Sequence, residues 1–496
     1  MRNRIGDSFF TAPSVPLEIS QIISLLKTGK SLGPNSIPMK ILKTLSPLIS
    51  SPLSQIINES FQSGIFPDKM KLAKVIPLFK KDCPLVASNY RPISLLSVFS
   101  KIIEKVMYER LYKFLEKHEI LYSLQFGFRA SHSINHALVS LTEAIKNSLD
   151  NRNFGCGIFI DLQKAFDTVN HDILLTKLDH YGIRGNVFDW FKSYLSGRKQ
   201  YVSANGSNSS YLDVTYGVPQ GSVLGPLLFL IYINDLPRSS SKLDFYLFAD
   251  DTNIYYEANN LILLQRTVNK ELNKVKTWLD INKLSLNIDK TNFIIFKSPQ
   301  HSSSEIINIK IGNLPVKKTC YVKFLGVLLD ENLSWKYHLT ELSKKLARTC
   351  GMFFKVRHFL PVDVLICLYN SLFSPFLQYG ILVWCLTYET YINPVFLLQK
   401  RVIRAISFQH FTSHSTPIFS DLKILKLHDL FQLKLLCFVY ESVHKISPIC
   451  FHNFFKSLES VHQYGTRQAG KDDIFLTRKN TSQYGLRSVS YYEAKF

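Results

Sequence analysis

The chain has 496 residues and a formal net charge of +21, from 59 Lys and Arg against 38 Asp and Glu, and 46% of its residues are hydrophobic. This length and apolar content suffice for roughly two to four packed units and exclude a disordered chain. The basic excess favours a polyanionic partner, and a membrane is disfavoured because no apolar run approaches the ~18–20 residues of a span.

Pro226 to Ile233 is the most apolar run, and Met1 to Asp7 lacks the apolar segment of a signal peptide. Cytoplasm and nucleus both fit. The eight cysteines include no C-x-x-C pair, so a zinc knuckle is not expected and the thiols read as reduced and mostly buried. His132 and His136 stand four apart, but no third ligand is near them, and surface or core histidines are expected.

In chain order, residues 1 to 60 read as broken helix, with Ile19, Ile22, Ile23 and Leu26 on one face, a loop from Gly33 to Pro38 and a second helix from Met39. Val75–Phe79 is a short strand followed by Lys80 and Lys81. Pro92 forces Arg91 into extended backbone. Ser100–Lys117 is an amphipathic helix with Ile103, Val106, Met107, Leu111 and Leu115 inward. Gln125-Phe-Gly-Phe-Arg129 is a glycine-bearing loop, and a helix runs from about Ile134 to Leu149.

Gly155 to Asp161 has the continuous apolar character of a central strand, with its aspartate at the end. A helix Val187–Leu195, a hairpin opening at Gln200–Ser203 and a glycine-rich loop Gly217–Pro226 follow. Leu243 to Tyr256 is two aromatic, apolar runs meeting at Asp250-Asp251, the pattern of a β-hairpin. Leu264, Val268, Leu272, Val275 and Leu279 mark a helix. Strands are expected near Phe293–Phe296 and Tyr321–Leu329, interrupted by a serine-rich loop, Ser298–Ser304. Beyond Asp330 the chain reads as helical, at Tyr337–Cys350, Val362–Leu372 and Leu397–Ile406, with a linker at His414–Pro417.

Two adjacent carboxylates at the tip of a buried hairpin repel each other and call for a cation. If the Asp161 strand neighbours that hairpin, three carboxylates converge on one sheet surface. Two Mg²⁺ ions about 3.5–4 Å apart can then activate an attacking oxygen and stabilise a leaving one in phosphoryl transfer.

These residues resemble the reverse transcriptases of LINE-type (non-LTR) retrotransposons. Phe159 to Asp167 resembles polymerase motif A, Tyr216 to Pro226 motif B, Phe248-Ala-Asp-Asp251 motif C, Leu286 to Thr291 motif D and Phe324-Leu-Gly-Val327 motif E, the primer grip. Asn89 to Ser94 and Gln125 to Arg129 are similar to finger motifs. The resemblance implies an α+β right-hand polymerase fold: an N-terminal helical extension over 1–60, fingers and palm with an antiparallel sheet over 61–329, a helical thumb over 330–410 and a helical region over 411–496.

It also implies roles. Asp161 and Asp250 hold two Mg²⁺ ions (Mn²⁺ as a substitute), with Asp251 in support. Phe166 is an aromatic gate that leaves no room for a 2′-hydroxyl. Gln220 lies at the nucleotide or template, Arg91 and Lys80 at the triphosphate, and Lys290 donates a proton to pyrophosphate. Arg129 follows the template backbone, and Phe324 and Gly326 hold the primer. Lys344, Lys345, Arg348, Arg401 and Arg404 are available to duplex phosphates. The expected partners are an RNA template, a DNA primer and dNTPs, and nothing in the sequence points to a protein partner.

Met70 stands where the family often has Trp, a packing change. The chain begins inside the segment before the fingers, so target-DNA cleavage is not ascribed to it, and its end without a Cys/His module suggests a truncated frame or a fragment. Two other readings stay open: a catalytically inactive remnant that binds nucleic acid, and an RNA-dependent RNA polymerase, which Phe166 and Ala249-Asp-Asp disfavour.

Overall fold

The computed structural model describes residues 5–29, 33–34, 37–300, 306–455 and 482–492. Part of the serine-rich loop, parts of the loop before Pro38 and most of the stretch after Phe455 thus lie outside the described residues. The chain forms two compact units interleaved along the sequence: one of Met1–Tyr122, Leu162–Ser241 and Lys274–Asn287, the other of Ser123–Asp161, Lys242–Asn273 and Ile288–Phe496.

The first unit has a mixed sheet. Leu72–Phe79 pairs antiparallel with Tyr90–Leu96 and parallel with Arg198–Ala204, and the last strand also carries Leu212–Val214. Pro77 and Pro92 face each other in the first pair, so two residues that cannot donate to a ladder share one position. Helices Pro16–Leu25 and Met39–Ser63 contribute Ile19, Ile22, Ile23 and Leu42 to the core. The helix Val98–Lys117 buries the expected stripe, and Glu104 lies buried within it.

The second unit is built on a five-stranded sheet ordered Lys317–Lys318, Asn292–Phe296, Phe154–Ile160, Asp251–Ala258, Asp244–Phe248. Phe154–Ile160 is central and antiparallel to both neighbours. Buried on both faces, it reads as an unbroken apolar run. Helices Ile134–Asp150, Lys336–Val356 and Glu389–Ile406 pack with it into one apolar cluster that includes Phe159, Phe296, Leu346 and Trp384.

Three expectations are corrected. Tyr321–Leu329 is not one strand but a hairpin, Tyr321–Phe324 and Val327–Asp330, because Leu325 and Gly326 turn the chain at φ 43° and 88°. His414–Pro417 is not a linker: a helix spans Ser415–Asp421, with Pro417 in its first turn, where its missing N–H costs nothing. The thiols are all free, but only Cys156, Cys350 and Cys385 are fully buried, while Cys83, Cys320, Cys367 and Cys437 are exposed. Among the described residues no helix is long and apolar enough to cross a membrane.

Candidate active site

In the central sheet, Ile160 pairs with Thr252 and Phe248 with Asp251. Asp161 therefore leaves the central strand beside the position where Asp251 enters its neighbour, and Ala249-Asp250 forms a two-residue turn. Ala249 has φ 56°, the left-handed region that a two-residue hairpin turn demands and that a Cβ disfavours. Burial, then Asp250, then Asp161 push the Asp251 carboxyl up to about 6. By area its edge is exposed; the crowding comes from its protein-facing side. Asp161 faces Lys290, whose Nζ lies 3.8 Å from Oδ2, and its N–H donates to Thr291 Oγ1 at 3.4 Å.

Among the described residues no three His, Cys, Asp or Glu side chains form a ready-made metal cage. The donor set still fits a hard divalent cation, which takes few protein oxygens and completes its shell with water and substrate phosphate. The electrostatic strain on Asp251 is what such a cation would relieve.

This strain has a sign. The folded chain holds a proton on Asp251 that the unfolded chain releases near the usual 3.8. The folded state thus binds more protons between about pH 4 and pH 6, and stability falls as pH rises through that window. Thermal midpoints in chelator are expected to drop there, with Asp251→Asn flattening the trend. MgCl₂ should restore stability mainly above about pH 6. An equal Mg²⁺ effect at about pH 5 and pH 7.5 would contradict the assignment.

Sequence reasoning missed the brace behind this turn. Gln125 is buried, and its Oε1 accepts N–H groups from Gly127 and Ala249, each at 3.0 Å. Phe126 N donates to Leu247 O at 2.8 Å and Leu247 N to Leu124 O at 3.0 Å. A Cβ on Gly127 would lie 2.3 Å from Ala249 N. The stretch that resembles a finger motif thus has a prior task, holding the aspartate hairpin from behind. Arg129 is half-buried at its end. Only the glycine between two aromatics hinted at such an approach.

The first unit holds the remaining nucleotide-site candidates. Phe166 stacks on Phe229, with centroids 4.5 Å apart, and Gln220 Nε2 donates to Asp167 Oδ1 at 2.8 Å. The glycine-rich loop is stitched on several sides. Gly217 N donates to Val169 O, Ser94 N donates to Gln220 O, and buried Glu104 accepts from Val223 N at 2.7 Å and Leu224 N at 3.2 Å. A Cβ on Gly221 would lie 2.2 Å from Ser94 O. Lys80 and Arg91 are exposed at the end of the Leu72–Phe79 and Tyr90–Leu96 pair, where Arg91 faces Leu78.

In the second unit Phe324 is buried edge-on against Phe159 at 6.0 Å, and Tyr379 Oη donates to Leu325 O beside Gly326. His136 closes a capping box with Ser133, and burial holds its imidazole down to about 4. His136 thus caps a helix, whereas His132 has its Nδ1 2.7 Å from Ala130 O.

A family model described as reverse transcriptase (RNA-dependent DNA polymerase) matches residues 78–329. The chain is 27% identical over 427 residues to the RNA-directed DNA polymerase from mobile element jockey of Drosophila melanogaster, covering 84% of this chain and 46% of that protein. It is 28% identical to the probable RNA-directed DNA polymerase from transposon X-element of the same fly, with the same coverage. Against a Pol polyprotein from type-1 retrotransposable element R1 of Bradysia coprophila, identity is 28%, over 74% of this chain and 37% of the relative. The chain thus spans about half or less of the length of these relatives.

Proposed function

We infer that this chain, which belongs to the reverse transcriptase (RNA-dependent DNA polymerase) family, extends a DNA primer on an RNA template for a non-LTR retrotransposon. One observation carries the reading: Asp161, Asp250 and Asp251 are gathered at neighbouring strand ends, where burial first and the two neighbouring carboxylates second push the Asp251 carboxyl up to about 6. In this reading residues 61–329 are fingers and palm, 330–410 the thumb, 1–60 an N-terminal extension and 411–496 a helical appendage.

Asp161 and Asp250 would hold two Mg²⁺ ions, supported by Asp251. When bound, the ions supply Lewis-acid activation of the primer 3′-hydroxyl and charge neutralisation at the phosphates. Lys290, already beside Asp161, is placed to give a proton to departing pyrophosphate. Arg91 offers a planar fork to the triphosphate, with Lys80 as a point charge. Phe166 is held by its stack on Phe229 to close against the sugar, and Asp167 fixes one end of the Gln220 amide. Phe324 and Gly326 shape the turn that would grip the primer, and Arg129 meets the template.

Primer extension with Mg²⁺, an RNA template and dNTPs tests the reading. No incorporation would leave the inactive nucleic-acid binder. Phe166→Val is expected to raise ribonucleotide use relative to dNTPs about tenfold or more. Ribonucleotide preference in the unmodified chain would point instead to an RNA polymerase.

A further inference from the structure

A cavity of about 640 Å³ lies in the second unit, away in sequence from Asp161, Asp250 and Asp251. Phe354 and Arg357, at the end of the helix Lys336–Val356, line one side. Arg401 and Arg404, from the helix Glu389–Ile406, and Phe411, from the following loop, line the other. Its walls hold three guanidinium groups and no carboxylate. Among the described residues none of the three arginines belongs to a salt bridge. Such a concentration of unneutralised charge disfavours the empty pocket and favours an anion.

The guanidinium groups are also positioned. Arg357 and Arg401 both lie over the Phe354 ring, at 5.2 and 5.3 Å, and Arg404 Nε donates to Ser413 O at 2.8 Å. Arg357 Nε also donates to His358 Nε2 at 3.1 Å; stacking and these bonds fix the guanidinium planes while leaving the remaining N–H groups to meet oxygens. Beside them stand exposed aromatic faces: Phe411 is 76% exposed and Phe408, under Arg357, is 49% exposed.

We propose that this pocket binds unpaired nucleotides of a single-stranded nucleic acid, the arginines taking phosphates and Phe411 stacking a base. The occupant follows from shape and chemistry. A duplex keeps its bases stacked inside and presents a convex phosphate surface, whereas a concave pocket with an open aromatic face suits a base turned out of its stack. Arg401 and Arg404, which the sequence offers to duplex phosphates, thus serve a separate single-strand site. RNA and DNA strands share this chemistry.

The test is fluorescence anisotropy on the full chain with labelled oligo(U), oligo(dT) and a duplex, each about twelve nucleotides long. Arg357→Glu/Arg401→Glu is expected to weaken single-strand binding at least about tenfold and to flatten its salt dependence by about 0.7 for each phosphate no longer neutralised. Phe411→Ala should cost about tenfold with the salt slope unchanged. Whichever of oligo(U) and oligo(dT) suffers more identifies the source, and either supports the site. Unchanged affinity and slope for both single strands would overturn it, as would an equal or larger loss on the duplex. Should the charge reversal fail to fold, Arg401→Gln and Phe411→Ala, both at exposed positions, carry the same comparison.

Discussion

On the proposed function, Asp250→Ala is expected to lower primer extension by about a thousandfold or more, and in chelator at neutral pH to leave the protein as stable as before or more so. The rate loss follows from removing an oxygen ligand that would anchor the cations; several kcal/mol of transition-state stabilisation corresponds to about three orders of magnitude. The stability gain follows from the same geometry without a cation. Asp250 is exposed at the turn, so truncation opens no cavity, and it is one of the two charges that raise Asp251. Removing it lets Asp251 ionise at lower cost. Single-turnover extension beside thermal unfolding in EDTA and in MgCl₂ separates the two effects. A variant that loses activity only because it unfolds earlier in both buffers would remove the catalytic assignment.

The parts of this site legible in the sequence are those whose signal is local. Phe154–Ile160 betrays its central position by having no polar face, and the hairpin betrays itself by two aromatic runs around an acidic break. The family motifs added an order that no single motif supplies. The parts not legible depend on backbone meeting backbone across long stretches of chain. Gln125 reads as an ordinary loop glutamine until its carbonyl is found on the N–H of Ala249. Glu104 falls within an apolar helical stripe, where periodicity favours a hydrophobic residue, and its purpose lies in two N–H groups more than a hundred residues away. The turn at Leu325-Gly326 was hidden because the apolar run from Phe324 to Leu329 continues through it, although Gly326 was the residue most able to adopt it. The interleaving of the two units leaves no linker composition to read.

Gly127→Ala tests the brace behind the Ala249-Asp250 turn and is the second large effect expected. The glycine is required here by close approach. A Cβ would lie 2.3 Å from Ala249 N, 2.9 Å from Phe248 C and 3.0 Å from Ala249 Cα, all backbone atoms with no flexible side chain to give way. Ordinary contact distance can be regained only by moving one strand of backbone from the other, by about 1 Å. Such a displacement of positioned groups costs about a hundredfold in rate. Overpacking of this kind costs about 1–3 kcal/mol of stability. Gln125→Ala approaches the same brace from the other side, leaving the N–H groups of Gly127 and Ala249 without their buried acceptor, at about 1–3 kcal/mol for each orphaned group. Gly351→Ala is the control: it lies in the helix Lys336–Val356 with nothing within 4 Å of its added methyl, so helix propensity alone stabilises it by about 0.5–1 kcal/mol. Extension rates and urea midpoints for the three variants should therefore diverge. If Gly127→Ala polymerises at the unmodified rate, the backbone contact does not position the aspartates.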